Sequence, residues 1–189
     1  IDYLSIEWNQ NYYDTCMRVC DDLMDNFEDK EKGGFFFTSN QHEQLFYRPK
    51  TIRDDSVPTG LVYATDTLLY MGFISWNQKY IEAAHRALDF IYKSIDDNLT
   101  SNVSAINLLR EDNLEKEVII VRTNKKTWEK ITDSEEYYGR CIIFIENELQ
   151  NLPDYTAYKE SRGEFTSYHC KGMTCQTPKL SFEDFRDNL

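Results

Sequence analysis

Apolar residues recur at intervals of three and four along the first part of the chain. Between Ile6 and Phe27 they fall at Tyr13, Cys16, Met17, Cys20, Leu23, Met24 and Phe27, the stripe of an amphipathic helix that buries one face. A charged turn from Glu28 to Lys32 follows, then Gly33-Gly34 and the run Phe35-Phe36-Phe37-Thr38. Two glycines ahead of a short aromatic run predict a tight turn into a brief extended segment. Residues 39–58 are polar and carry Pro49 and Pro58. They predict a long connection, and loops of this length are uncommon in compact domains and often functional.

Pro58-Thr59-Gly60 opens a second helix over 59–72, with Leu61, Ala64, Leu68 and Leu69 on its stripe. A short link from Gly72 to Gln78 leads to a third, with Ile81, Ala84, Leu88, Ile91 and Ile95 on one face. Helices joined so closely are expected to pack as an antiparallel hairpin. A weaker fourth helix covers 101–109. Near residue 112 the period changes. Val118-Ile119-Ile120-Val121 and Cys141-Ile142-Ile143-Phe144-Ile145 are short continuous apolar runs, as expected of buried strands. The polar segment between them, with Trp128 and Ile131, is long enough for a crossover helix, so the two strands should be parallel with a right-handed connection. Phe165 to Cys170 is a third strand, and Phe182, Phe185 and Leu189 predict a short closing helix capped by Ser181. The pattern is thus α+β: helical over 1–111, then a small α/β domain over 112–189.

Composition narrows the class. With 41% hydrophobic and 14% aromatic residues among 189, the chain can build a core and is not a disordered segment. No apolar run approaches the roughly 20 residues of a membrane span. Ile1-Asp2-Tyr3-Leu4 is neither a basic signal peptide nor a transit peptide, and the lack of an initiator Met suggests a processed chain or a fragment. A net charge of −12 repels nucleic acid and anionic lipid, and neither is expected as a partner. Five cysteines, an odd number without dense spacing, do not make a disulfide framework, and the reading is cytoplasmic. Cys16 and Cys20 share a helix face and belong to the core, as does Cys141 at the start of a strand. Asn98-Leu99-Thr100 and Asn102-Val103-Ser104 match the glycosylation acceptor pattern, which is common by chance.

The chain lacks the motifs of several large enzyme classes. Arg122-Thr123-Asn124-Lys125 follows the first strand, where a dinucleotide or P-loop site needs glycines so that the backbone can approach phosphate. There is no Cys-x-x-Cys, no Gly-x-Ser-x-Gly elbow and no paired metal-ligand cluster, so no metal or cofactor is expected. His169, Cys170 and Cys175 form one soft-ligand group. Cys170 and Cys175 are a redox couple, or zinc ligands with His169, or simply parts of a strand and turn; a closed zinc site would need a fourth ligand. In the loop from Tyr47 to Pro58, Arg48 and Lys50 are donors, with Asp54 as an acceptor and Asp55 beside it. Together they suit a polar or anionic small molecule, or else an internal ion-pair network that holds the loop onto the helices. His42 and His85 stand alone and read as surface residues.

At this loop the sequence resembles a known family. Gly33-Gly34-Phe35-Phe36, Leu45, Arg48-x-Lys50, Asp54, Pro58-Thr59-Gly60 and Leu68-Leu69 resemble, in order, the YyaL-type thioredoxin-domain-containing proteins, the family of spermatogenesis-associated protein 20. Glu117-Val118-Ile119-Ile120-Val121 and Ser167-Tyr168-His169-Cys170, with Cys175 and Pro178, resemble its C-terminal end. Where that family has Ser-x-Asn-Ser after the proline, this chain has Thr59-Gly60-Leu61-Val62, so Leu61 replaces a polar position. The resemblance implies the last hairpins of an α/α toroid of the six-hairpin glycosidase type, related in fold to N-acylglucosamine epimerases, followed by a small α/β cap. It also implies partners elsewhere in a longer parent protein, namely a thioredoxin-like domain and the earlier helical hairpins. A sugar-like molecule bound near Arg48, Lys50, Asp54 and Asp55, and hence a part in carbohydrate metabolism, would follow. The alternative is a non-catalytic interaction module that packs against those missing regions or another subunit.

Overall fold

The computed structural model describes residues 4, 6–42, 47–95, 99–113, 116–132 and 140–187. Ile1, Asp2, Tyr3, Leu45, Asn98 and Leu189, all named above, lie outside them. The fold is mixed α and β, and the chain divides into two compact units. A helical unit comprises Thr15–Phe73 and Asn77–Glu115, and a sheet unit comprises Ile1–Asp14, Ile74–Trp76 and Lys116–Leu189.

In the chain's helical part, α1 spans Gln10–Asn26, α2 Gly60–Ser75, α3 Gln78–Ser94 and α4 Val103–Asn113, with a 3-10 turn at Leu99–Ser101 ahead of α4. Each start has a polar cap that satisfies otherwise orphaned N–H groups. Asn9 Oδ1 accepts from Asn11 N at 2.9 Å, Thr59 Oγ1 from Leu61 N at 3.3 Å, and Asn77 Oδ1 from Lys79 N at 3.1 Å. The expected stripe of α2 is buried, but so are Val62, Met71 and Ile74. This helix is enclosed on most sides, which its near-continuous apolar sequence permits. Helix α3 buries Ile81, Ala84, Leu88 and Ile91 as expected, while Ile95 becomes its C-cap. The Gly33-Gly34 turn is as the sequence predicts: both residues have positive φ, 75° and 78°, which favours glycine. A Cβ on Gly33 would strike the Arg86 carbonyl, and one on Gly34 would lie 2.8 Å from the Phe90 ring.

The sheet unit has strands β1 (Glu117–Thr123), β2 (Cys141–Glu146), β3 (Phe165–Lys171) and β4 (Thr174–Cys175), in the order β2-β1-β3-β4. Helix α5 (Lys125–Thr132) lies between β1 and β2 in sequence, and the two strands are parallel with Ile119 opposite Ile142. Strand β3 is antiparallel to β1, with Ile119 opposite His169. That leaves β1 central, which explains why Val118 to Thr123 are all buried. Side chains alternate between the two faces. One face gathers Ile119, Val121, Ile142, Phe144 and Phe165 against Trp128 and Ile131 of α5 and Phe185 of the closing helix α6 (Phe182–Arg186). The Trp128 and Phe144 rings stack 4.9 Å apart, and Ser181 caps α6 by accepting from Asp184 N at 3.1 Å. The register places Arg122, Tyr168 and Cys170 on the opposite face. Thr174 and Cys175 form the edge strand β4, reached from β3 through a turn at Gly172 (φ 52°).

Candidate functional site

The 47–59 loop is anchored by its own charged residues. Arg48 donates to the carbonyls of Asn26 (3.1 Å) and Thr38, and its guanidinium lies 4.1 Å above the Phe36 ring. It therefore satisfies the C-terminus of α1. Lys50 Nζ binds Asp29 Oδ2 and the Gly33 carbonyl, each at 2.7 Å, and sits 4.0 Å from the Phe90 ring centre. Asp54 joins two helix starts: Oδ2 accepts from Ser104 N at 2.8 Å in the first turn of α4, and Oδ1 accepts from the Ser104 hydroxyl and from Thr59 N at 3.2 Å. Burial alone would raise the Asp54 carboxyl, but the Ser104 and Thr59 donors outweigh it and hold the group below its usual value. Burial likewise opposes Asp29, whose pKa is nonetheless lowered by Lys50 and the N–H groups of Lys32 and Glu31.

The same loop walls a cleft of about 400 Å³ in the helical unit. Its floor is apolar: Leu23, Phe27, Phe35, Phe36, Leu61 and Ala64. Thr51, Arg53, Asp55 and Thr59 bring polar groups to the walls and rim, with Phe37, Val57 and Pro58. Of the four loop residues singled out from sequence, Asp55 lines this cleft. Arg48, Lys50 and Asp54 do not line it and make the loop's internal bonds. Arg53, Phe37 and Thr51 were not singled out. The aromatic run was the available signal, since Phe35, Phe36 and Phe37 all line the cleft.

In the sheet unit Cys170 and Cys175 are joined by a disulfide between register partners of β3 and β4. Cys16, Cys20 and Cys141 are not disulfide-bonded, and Cys16 and Cys141, expected in the core, are only half-buried. Cys20 is fully buried, and burial, with Cys16 and Asp21 adding to it, pushes its pKa up to about 12, so it is not a nucleophile at neutral pH. His169 is buried at 2% exposure. Its ring nitrogens lie 3.2 Å from Ser167 Oγ and 3.7 Å from Glu117 Oε1. This order of hydroxyl, imidazole and carboxylate is that of a nucleophile and its base, but Ser167 is completely buried, so a substrate cannot reach it. Burial also pushes the imidazole below its ordinary value, against the opposing effect of Glu117. His42 and His85 are exposed. Asn102, within an acceptor-like triplet, is fully buried and closed to glycosylation in the folded chain. Among the described residues no three His, Cys, Asp or Glu side chains converge as metal ligands, and no helix is long and apolar enough to cross a membrane.

Sequence reading gave no role to Arg122, which is 4% exposed. It donates to the carbonyls of Glu146 (3.0 Å), Asn147 (3.1 Å), Leu149 (2.8 Å) and Lys159 (3.2 Å). This guanidinium pins the turn after β2 to the end of β1. The only signal for it was an arginine directly after an apolar strand.

The fold and these sites define a mixed α/β protein with a ligand-sized cleft and one disulfide. No protein-family model matches the sequence, and no curated protein matches it significantly.

Proposed function

We propose that the helical unit binds a small molecule in the cleft between the phenylalanine run and the 51–59 loop. The observation that carries this reading is the combination of an aromatic floor with Arg53 and Asp55 at the rim. Pockets of a few hundred Å³ that are mostly apolar, with a few polar groups, suit small ligands. A sugar-like molecule fits this chemistry, because a pyranose has an apolar face to lay on a ring and hydroxyls to bond a carboxylate and a guanidinium. The resemblance to the YyaL-type family supports the same ligand class, with the helices as part of an α/α toroid, the sheet unit as its cap and the remaining hairpins and thioredoxin-like domain as partners. A cytoplasmic setting goes with this proposal, and in that setting a disulfide is usually transient or regulatory.

Saturation-transfer NMR with a panel of neutral hexoses and N-acetylhexosamines tests the reading. Ring-proton transfer should appear with the whole chain and fall sharply in Phe37→Ala and Asp55→Asn, with circular dichroism unchanged. No transfer from any member of the panel, or transfer equally strong in both variants, would overturn it. A second reading, an interaction module, draws on Phe37 and Val57, which are 76% and 68% exposed. Large apolar side chains beside a cleft suit a protein surface as well. Concentration-dependent self-association that Phe37→Ala abolishes would favour it.

A further inference from the structure

We propose that Cys170–Cys175 is a reversible thiol–disulfide exchange site, with Cys175 as the exchanging sulfur, Cys170 as the resolving one and Lys159 holding the Cys175 thiolate. This site lies in the sheet unit and does not depend on the cleft.

Lys159 is 4% exposed, and among the described residues no carboxylate lies within ion-pair distance of its Nζ. Its partners are the Tyr155 ring at 3.9 Å, the Tyr168 ring at 5.1 Å and Cys175 Sγ at 3.3 Å. The Tyr155 hydroxyl lies 3.6 Å from the same sulfur, and Trp76 stacks on the Tyr155 ring at 4.1 Å. A buried ammonium is costly without an anion. In the oxidised chain its nearest polar neighbour is a neutral sulfur, whereas reduction would place a thiolate there. A cation in contact with a cysteine stabilises the thiolate and makes the disulfide easier to reduce.

The two sulfurs also differ in access. Cys170 is 5% exposed in the middle of the β1–β3–β4 ladder, while Cys175 is partly exposed on the edge strand. The hairpin does not rely on the disulfide alone. Gln176 N bonds the His169 carbonyl at 2.9 Å, and Ser167 and Lys179 exchange backbone bonds at 2.9 and 3.0 Å. Those bonds keep the reduced thiols side by side, so the pair can re-form.

The electron count closes with an external dithiol as reductant. Its thiolate attacks Cys175 Sγ, breaking the Cys170–Cys175 bond and releasing Cys170, which takes up a proton. The second external thiolate attacks its own partner sulfur, forming the external disulfide and expelling Cys175 as the thiolate beside Lys159. Two electrons pass from the external dithiol to the chain. In reverse, the Cys175 thiolate attacks an external disulfide, and Cys170 resolves the mixed disulfide.

The test is equilibration of the native chain in glutathione redox buffers, with acid quenching, alkylation and mass analysis. The wild-type pair should open and close reversibly without unfolding. Lys159→Met should disfavour the dithiol about tenfold, a midpoint shift of about 30 mV toward more reducing values, while Lys159→Arg should stay near wild type. With Lys159 intact, the single thiol of Cys170→Ser should react with iodoacetamide about threefold faster at pH 7 than an ordinary thiol. A cation beside the sulfur raises the thiolate fraction by more than it lowers the thiolate's nucleophilicity. A disulfide that resists excess dithiothreitol until the chain unfolds would overturn the proposal. So would an unchanged midpoint in folded Lys159→Met, or, should that variant not fold, a Cys175 thiol no faster than free glutathione.

Discussion

Several charged side chains here act as structural ties. Asp54 bonds the first turn of α4 and the start of α2, so Asp54→Ala removes two caps at once and should cost about 2 kcal/mol in urea unfolding. The carboxyl is depressed, so its contribution is present above the unfolded value near 3.8 and lost as pH falls through the lower folded value. Lys50 and Asp29 are each about nine-tenths buried, at 10% and 11% side-chain exposure. Lys50→Ala leaves a buried carboxylate without its cation and should cost about 3 kcal/mol, with the double variant Lys50→Ala, Asp29→Ala losing less than the sum of the two singles. His169 behaves in the opposite chemical sense to a paired histidine. Burial lowers its pKa from 6.5, so the unfolded chain binds more protons. Stability is then full above about pH 6.5 and declines as the medium is acidified below it. A thermal-melt series between neutral pH and pH 5 should show that decline, and His169→Gln should flatten it.

At the scale of elements, strand β1 is the pivot of the sheet unit, paired on both sides and buried from Val118 to Thr123. The face it shares with α5 depends on Trp128, which is 5% exposed and stacked on Phe144. Trp128→Ala should therefore destabilise the sheet unit by about 3–5 kcal/mol, read as loss of near-UV circular dichroism. Elements of this kind were legible in the sequence because burial imposes a period: 3.6 on α1 and α3, and an unbroken apolar run on β1 and β2. The caps at Thr59 and Ser181 and the turn at Gly33-Gly34 were legible because backbone geometry selects those residue types. Strand β4 was not, since two residues are too few to carry an alternation, and their pairing is set by β3. The candidate site was legible only in outline. Sequence marked the 47–58 loop as a cluster of donors and acceptors, but which of them face the cleft is settled by contacts with Asp29, Gly33 and Ser104, and local spacing does not encode those. The Lys159–Cys175 contact spans 16 positions and was likewise invisible to motif reading.

Across the whole molecule, the formal charge of −12 on 189 residues implies self-repulsion that salt screens. Added sodium chloride should raise the unfolding midpoint. The sheet unit is also discontinuous, since it takes in residues up to Asp14 as well as those beyond Lys116. Leu4, Trp8 and Tyr13 are buried, Trp8 packs on Tyr13 at 5.2 Å, and the Tyr13 hydroxyl donates to Asp154 Oδ2 at 2.6 Å across 141 positions. Tyr13→Phe should cost about 1 kcal/mol. This layout bears on how the chain is made. At about 5–20 residues per second, Tyr13 leaves the ribosome some 7–28 s, by the same rate, before the Asp154 it will bond, which stands 141 positions later. Through that interval the helical unit can fold as its own segments emerge. Meanwhile the apolar side chains of residues 4–14 wait in water for a sheet still to be synthesised, a nascent segment that a chaperone would find before its native partner does.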